Sequence, residues 1–470
     1  MSGEYLKVFP LLKSFSRELN LQDPLTFKRF LKKHSKTLSS LKCTCKPRFG
    51  QAFSKNQRAL KILTWKKSFK RVHFSFIKFN SVQIISTLKK FLQNSKNINV
   101  IDLYIALGPA SPSEPFTALS KELVRLKSLH GFNLQILIAP PFFFKGIHQL
   151  FTKFKHIPSL KNLGIRVQEH EAIKEQEMKP LRQAIENLKS LKRLTLKFNQ
   201  GIDINPQQLE SFLSPLKNLD DLSHLNLNLL NCSKLSLQSL TKFSPILSNL
   251  QSLSSLKLIF KNYGDFVEKD FGGLYPALRN LTALARLGLA FNRCEKVTGK
   301  HLQSLPESLI SLKLLSSLEL SYYCCNYITE CGMNVFSYNL RNLFSLKRFS
   351  FQMILCRRIG NVAVNDLCTQ IKYAKLLEDL KLSFQDSQLV TGEGIKVLPD
   401  SINSLENLKT VHLDFCDSKG LEDVDVKSFY SEIQKGSFER DFDVSFNYFA
   451  ENRMFERTIV NKKIRLPSSS

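Results

Sequence analysis

Three groupings in this 470-residue sequence combine residue types that carry chemistry. His170-Glu171-Ala172-Ile173-Lys174 opens like a zinc-protease helix, where two histidines four residues apart hold the metal and the glutamate acts as base. Its second histidine is missing, because position 174 is lysine. Gly392-Glu393-Gly394-Ile395-Lys396-Val397 starts like a phosphate-cradling loop but lacks the third glycine. Cys324-Cys325 with Cys331 is a local thiol cluster without a histidine at zinc spacing. Cys43 and Cys45 alternate in a strand pattern and read as small buried hydrophobes. None of these completes a catalytic or metal-binding set. The expectation is a chain without enzymatic activity, cofactor or metal.

The elements that would position such residues come from a repeat. Around Leu188–Asn199 the sequence runs L-K-S-L-K-R-L-T-L-K-F-N. From Leu194, steps of 31 residues land on Leu225, Leu256, Leu287, Leu318, Phe349, Leu380, Val411 and Phe442. Backward steps give Leu163 and Phe132, then Ile101 or Leu103 where the register slips by two, then Val72 and Leu41. One unit is copied about fourteen times, the signature of a repeat array. With the anchor as position 0, apolar residues recur at −13, −9, −6 and −3, then at 0, +2 and +4, then at +10. Spacings of three and four make the buried stripe of a helix, and spacings of two make a half-buried strand. The Leu318 unit shows the pattern with Leu305, Leu309, Leu312, Leu315, Leu318, Leu320, Tyr322 and Ile328.

One strand per unit, always entering in the same direction, requires a parallel sheet with right-handed crossovers. Strands pack closer than helices, so the stack should curve with the sheet inside and the helices outside. Three segments follow. Residues 1–37 are expected to be a helical N-terminal cap, 38–449 the array, and 450–470 a C-terminal cap and disordered tail.

The strand-and-loop run resembles the leucine-rich repeat. The best matches are Leu284-Ala-Arg-Leu287-Gly-Leu289-Ala-Phe291-Asn292 and Leu191-Lys-Arg-Leu194-Thr-Leu196-Lys-Phe198-Asn199. The long unit with a full helix resembles the ribonuclease-inhibitor-like subclass, although 31 residues exceeds the usual repeat length. Asn or Cys at +5 occurs at Asn199, Asn292, Cys416 and Asn447, but Lys261, Tyr323 and Ile354 replace it elsewhere. The resemblance implies an α/β right-handed solenoid, a curved horseshoe with its parallel sheet on the concave face and helices on the convex face. It implies a protein-binding scaffold without chemistry of its own. One branch of the subclass regulates small GTPases, but no residue here singles out that activity.

Charge bears on the partner. The formal net charge is +28. Residues 1–200 hold 37 Lys and Arg against 11 Asp and Glu, whereas residues 201–470 hold 31 against 29. Nearly all the excess therefore lies in the first two-fifths, pointing to an anionic partner or to steering alone. Strand positions −1, +1 and +3 face away from the core. They place Lys42, Arg71, His73, Tyr104, Arg166, Arg193 and Lys197 at one end of the concave face, and Asp379, Asp414, Asp441 and Asp443 at the other. These are either a solvated wall or a binding gradient. A protein partner, acidic where it meets the N-terminal half, is the first reading. RNA, DNA or an anionic membrane is the second. Trp65 and Phe69 lie among lysines as in a stacking surface, but Phe69, Phe74 and Phe76 fall at core positions. The longest apolar run, Ile136 to Phe144, is broken by Pro140-Pro141 and too short to span a bilayer. Ten cysteines without a signal peptide suit a cytoplasmic or nuclear compartment.

Overall fold

The computed structural model describes residues 7–9, 19–20, 40–45, 70–79, 88–89, 91–95, 97–107, 115–138, 143–169, 173–199, 202–203, 205–230, 241, 243–261, 273–294, 297–416, 418, 420–435, 442–451 and 457–466. The chain divides into two compact units. One is Met1–Ile204 with Ser211–Leu229; the other is Asn205–Glu210 with Leu230–Ser470.

In the first unit, β1 (Lys7–Phe9) and β2 (Leu19–Asn20) precede the repeating strands. These are β3 (Ser40–Cys45), β4 (Arg71–Phe79), β5 (Val100–Leu107), β6 (Gly131–Ile138) and β7 (Asn162–Glu169). The short β8 (Ile173–Lys174) follows, then β9 (Arg193–Phe198), the short β10 (Ile202–Asp203) and β11 (His224–Leu230). Strands β3, β4, β5, β6, β7, β9 and β11 pair in that order, all parallel. Helices Pro115–Arg125, Phe143–Phe154 and Glu175–Asn187 make the crossovers after β5, β6 and β7. Val72 pairs with Ile101, which settles the two-residue slip in favour of Ile101 as anchor.

The second unit holds β12 (Ser255–Lys261), β13 (Arg286–Asn292), β14 (Ser317–Tyr323), β15 (Arg348–Ile354), β16 (Asp379–Ser383), β17 (Thr410–Asp414) and β18 (Phe442–Glu451). They too pair parallel and in sequence. Each unit is therefore a stretch of α/β leucine-rich-repeat solenoid: strand after strand in one direction, with anchor Leu287 beside Leu318 and Leu318 beside Phe349.

The burial pattern follows the sequence period. All eight pattern positions of the Leu318 unit, from Leu305 to Ile328, are buried. Burying such side chains supplies about 1.5–3 kcal/mol each. At +4 the rings stack into a column, Phe260 on Phe291 at 5.4 Å, Phe291 on Tyr322 at 5.5 Å and Phe384 on Phe415 at 5.7 Å, and Phe415 ends on Phe446, a +2 residue of the last strand, at 5.5 Å. Met353 interrupts the column. There Phe351, from position +2, bridges Tyr322 and Phe384 at 6.2 Å on each side.

Position +6 is left-handed in four successive units, at Arg293, Cys324, Leu355 and Asp386, with φ of 52°, 54°, 58° and 54°. This turn aims the next side chain, at +7, back into the core. Cys325 Sγ donates to Phe291 O at 3.3 Å, Cys356 Sγ to Tyr322 O at 3.5 Å and Ser418 Oγ to Phe384 O at 3.0 Å. A ladder of small donors at +7 thus serves the +4 carbonyls at the strand ends of the preceding repeat.

Three expectations change at the ends. Val411 pairs with Val444, not with Phe442, so the last anchor lies two residues further on. Within residues 1–37 the described segments are strands rather than helix; β1 runs antiparallel to β2 and to β3. The tail expected to be disordered contributes β19 (Arg457–Leu466), antiparallel to β18 along Phe442–Glu451. A final parallel strand leaves a row of open N–H and C=O groups, and a returning antiparallel strand satisfies them.

Candidate interaction surface on the open sheet face

Lateral pairing fixes which polar side chains meet on the sheet face away from the helices. In the first unit, position +1 gives the row His73, Asp102, Asn133, Gly164, Thr195 and Asn226. Position +3 gives Ser75, Tyr104, Gln135, Arg166, Lys197 and Asn228. Neighbours within a row stand about 4.8 Å apart.

Between these rows lies a depression of about 530 Å³, lined by His73, Asp102, Tyr104, Asn133, Gln135, Gly164, Arg166 and Thr195 among others. Its floor is bare at Gly164. A Cβ there would run into the Asn133 side-chain oxygen, so only glycine lets Asn133 lean across. Asn133 Nδ2 donates to Asp102 Oδ1 at 2.6 Å, and Arg71 Nε donates to Asp102 Oδ2 at 3.1 Å. The one carboxylate of the depression is thereby engaged on both oxygens. Arg166 is exposed, its in-register neighbours are Gln135 and Lys197, and it pairs with no carboxylate among the described residues. What the depression offers a ligand is a guanidinium beside phenol, amide and hydroxyl groups. That set suits an anionic oxygen group.

The structure brings together Arg166 and Lys197, and separately Arg71 and Asp102, with His73 beside Asp102. Lys42 lies in register with His73, on the same row. Arg193 is not part of the Arg166–Lys197 pair. It stands at −1, in register with Asn162 and His224, four residues along its strand from Lys197. At about 3.3 Å per residue that is roughly 13 Å away.

In the second unit the expected acidic patch is largely spent on neighbours. Arg348 Nε donates to Asp379 Oδ2 at 2.8 Å and Thr410 Oγ1 to Asp379 Oδ1 at 2.6 Å. Partial burial pushes the Asp379 pKa upward, but the Thr410 and Arg348 hydrogen bonds outweigh it and the net direction is down. Asp414 accepts from Gln385 Nε2 at 2.5 Å. Asp443 stays on the open face at −1, in register with Thr410, while Asp441 lies outside the described residues. Lys257 Nζ reaches across bare Gly288 to Glu319, two strands away, at 2.7 and 2.8 Å. Sequence reasoning missed this pair because the two residues are 62 positions apart. The glycine between them on the same row was the available signal.

Two of the chemistry-bearing motifs contribute residues to the repeat framework. Gly392 and Gly394 open a helix whose N-cap, Thr391, accepts from Glu393 N. Cys325 and Cys356 are rungs of the +7 ladder. Burial pushes the Cys356 thiol up to about 12 and moves Cys325 further in the same direction. Cys331 is exposed. His170 and Glu171 lie outside the described residues, as do the side chains of Cys43 and Cys45. Among the described residues no group of three His, Cys, Asp or Glu is arranged to hold a metal ion, and no helix is long and apolar enough to cross a membrane.

No family model matches the chain, and the comparison with curated proteins gives no match. Among solved structures, the chain is similar to the leucine-rich repeat-containing protein LegL7 from Legionella pneumophila. That likeness has a TM-score of 0.36 and 14% identity, and covers 65% of this chain and 90% of that one.

Proposed function

We propose that this chain is a non-enzymatic scaffold of the ribonuclease-inhibitor-like kind that captures an acidic segment of a partner protein on the open sheet face of its first unit. The observation that carries this reading is the depression over Gly164, where Arg166 has no carboxylate partner among the described residues while Asp102 is already engaged by Arg71 and Asn133. A preformed strand face costs little ordering on binding, which favours protein ligands. The ten cysteines, read as reduced thiols, suit a cytoplasmic or nuclear setting.

Nucleic acid is the second reading, favoured by the basic charge of residues 1–200. Stacking does not support it at Phe74, which is 1% exposed and packs edge-on against Phe91 at 5.1 Å. The test is capture from native extract with and without nuclease, followed by kinetics on the captured partner. Reversing Arg166 and Lys197 to Glu should leave the melting temperature unchanged and slow association about tenfold or more at low salt. An unchanged rate makes the face a solvated wall. Loss of the partner on nuclease treatment, with a steep log–log salt slope, transfers the function to phosphate binding.

A further inference from the structure

We propose that the turns entering β14, β15 and β16 form a docking row for an anionic phospholipid surface. Leu314, Phe344 and Leu376 are 59%, 69% and 46% exposed. Each lies in the same turn of three successive repeats, closed by Leu315 N to Leu312 O, Leu346 N to Leu343 O and Leu377 N to Ala374 O. The first two turns are tied together, since Ser345 Oγ donates to Lys313 O at 2.7 Å. With β14, β15 and β16 in register, the three apolar tips occupy one edge of the second unit. The turns on either side carry Thr282-Ala283 and Glu406-Asn407 instead, so the apolar row is confined to these three.

Cations surround the row. Lys313 and Lys375 occupy equivalent exposed turn positions, Lys347 is exposed two residues before the β15 anchor, and Lys372 lies 5.3 Å from the ring centre of exposed Tyr373. The nearby carboxylate, Glu378, is shared between Lys347 at 3.3 Å and Lys409 at 2.6 Å. Asp379 is held by Arg348, and Glu406 lies in the next turn. The balance stays positive.

This composition selects the occupant. A groove for a partner helix presents contiguous apolar walls. Here isolated Leu and Phe tips alternate with lysines, which suits shallow insertion of the tips while the ammonium groups stay among headgroup phosphates. Tyr373 is of the amphipathic type that settles at that depth. Basic residues beside an anionic leaflet each add attraction, and the effect fades within a Debye length.

The experiment uses the full chain and sedimentation with phosphatidylcholine vesicles, with or without about 30% phosphatidylserine, near 0.1 M salt. Anionic vesicles should retain the protein and neutral ones should not. Leu314→Ser, Phe344→Ser and Leu376→Ser together should lower retention about tenfold while thermal melting stays unchanged, since all three side chains are exposed. Arg166→Glu with Lys197→Glu should leave retention as it is, separating this row from the open-face site. Phe344→Trp should show a blue-shifted emission quenched by brominated lipid, judged against the wild-type chain, whose one tryptophan is Trp65. Retention by the triple Ser variant equal to wild type, or Phe344→Trp emission that lipid does not shift, overturns the proposal. So does a triple variant that keeps its vesicles and loses a protein partner.

Discussion

Leu355 is a branched side chain held at φ 58°, where an L-residue is strained by about 1–2 kcal/mol. Leu355→Gly should therefore raise stability by about 0.5–1 kcal/mol, despite glycine's added freedom in the unfolded chain. The same change at Arg348, inside β15, should lower it by a similar amount. Chemical denaturation of both variants checks the pair; equal destabilisation would contradict the left-handed turn. Thiol reactivity gives a second test at this scale. Cys294, Cys325, Cys356 and Cys368 are buried and Cys331 is exposed. Burial also lifts the Cys368 pKa to about 12, as it does for Cys356. A raised folded pKa leaves the neutral thiol stable below the unfolded value, with stability lost as pH climbs from about 8.5 towards 12. Brief alkylation near pH 8 with peptide mapping should label Cys331 and spare the four buried thiols. Labelling of Cys325 at the rate of Cys331 would remove the ladder.

Most of the strands were legible as elements, because an alternating run can bury only one of its faces. Leu287 and Leu318 are 2% and 1% exposed, as the period requires. Replacing either with Ala should cost about 2–5 kcal/mol, measured by urea titration; less than about half a kcal/mol at both would break the register. The pattern failed where alternation itself is ambiguous. Phe442, Val444 and Phe446 satisfy two registers equally, and only pairing with Val411 chooses Val444. The candidate site was half legible for a related reason. Alternation told which residues leave the core, but it could not tell that Arg348 neutralises Asp379 or that Gly164 hollows the face. Strand β19 was missed because Asn461-Lys462-Lys463 reads as a solvated tail, while its structural reason is the unpaired edge of β18. Truncation after Glu451 should expose that edge. Concentration-dependent association in light scattering, absent from the full chain, is the expected outcome.

At the scale of the molecule, stability is distributed, since each repeat within a unit leans mainly on the repeats beside it. The open face and the turn edge can then diverge in sequence while the buried positions stay fixed. The second unit shows what that allows. Successive anchors Leu318, Phe349 and Leu380 are spaced by the same 31 residues seen between Arg348 and Asp379. Excising Phe349–Asp379 would remove one whole repeat and deliver Leu380 to the side of Leu318. Met353 would leave with it, and Tyr322 would meet Phe384 directly, closing the one gap in the ring column. Lys257 would keep Glu319, and Leu376 and Tyr373 would be gone from the turn edge. Length in this protein is thus a quantity that can be edited in whole steps, with core and surface responding separately to each edit.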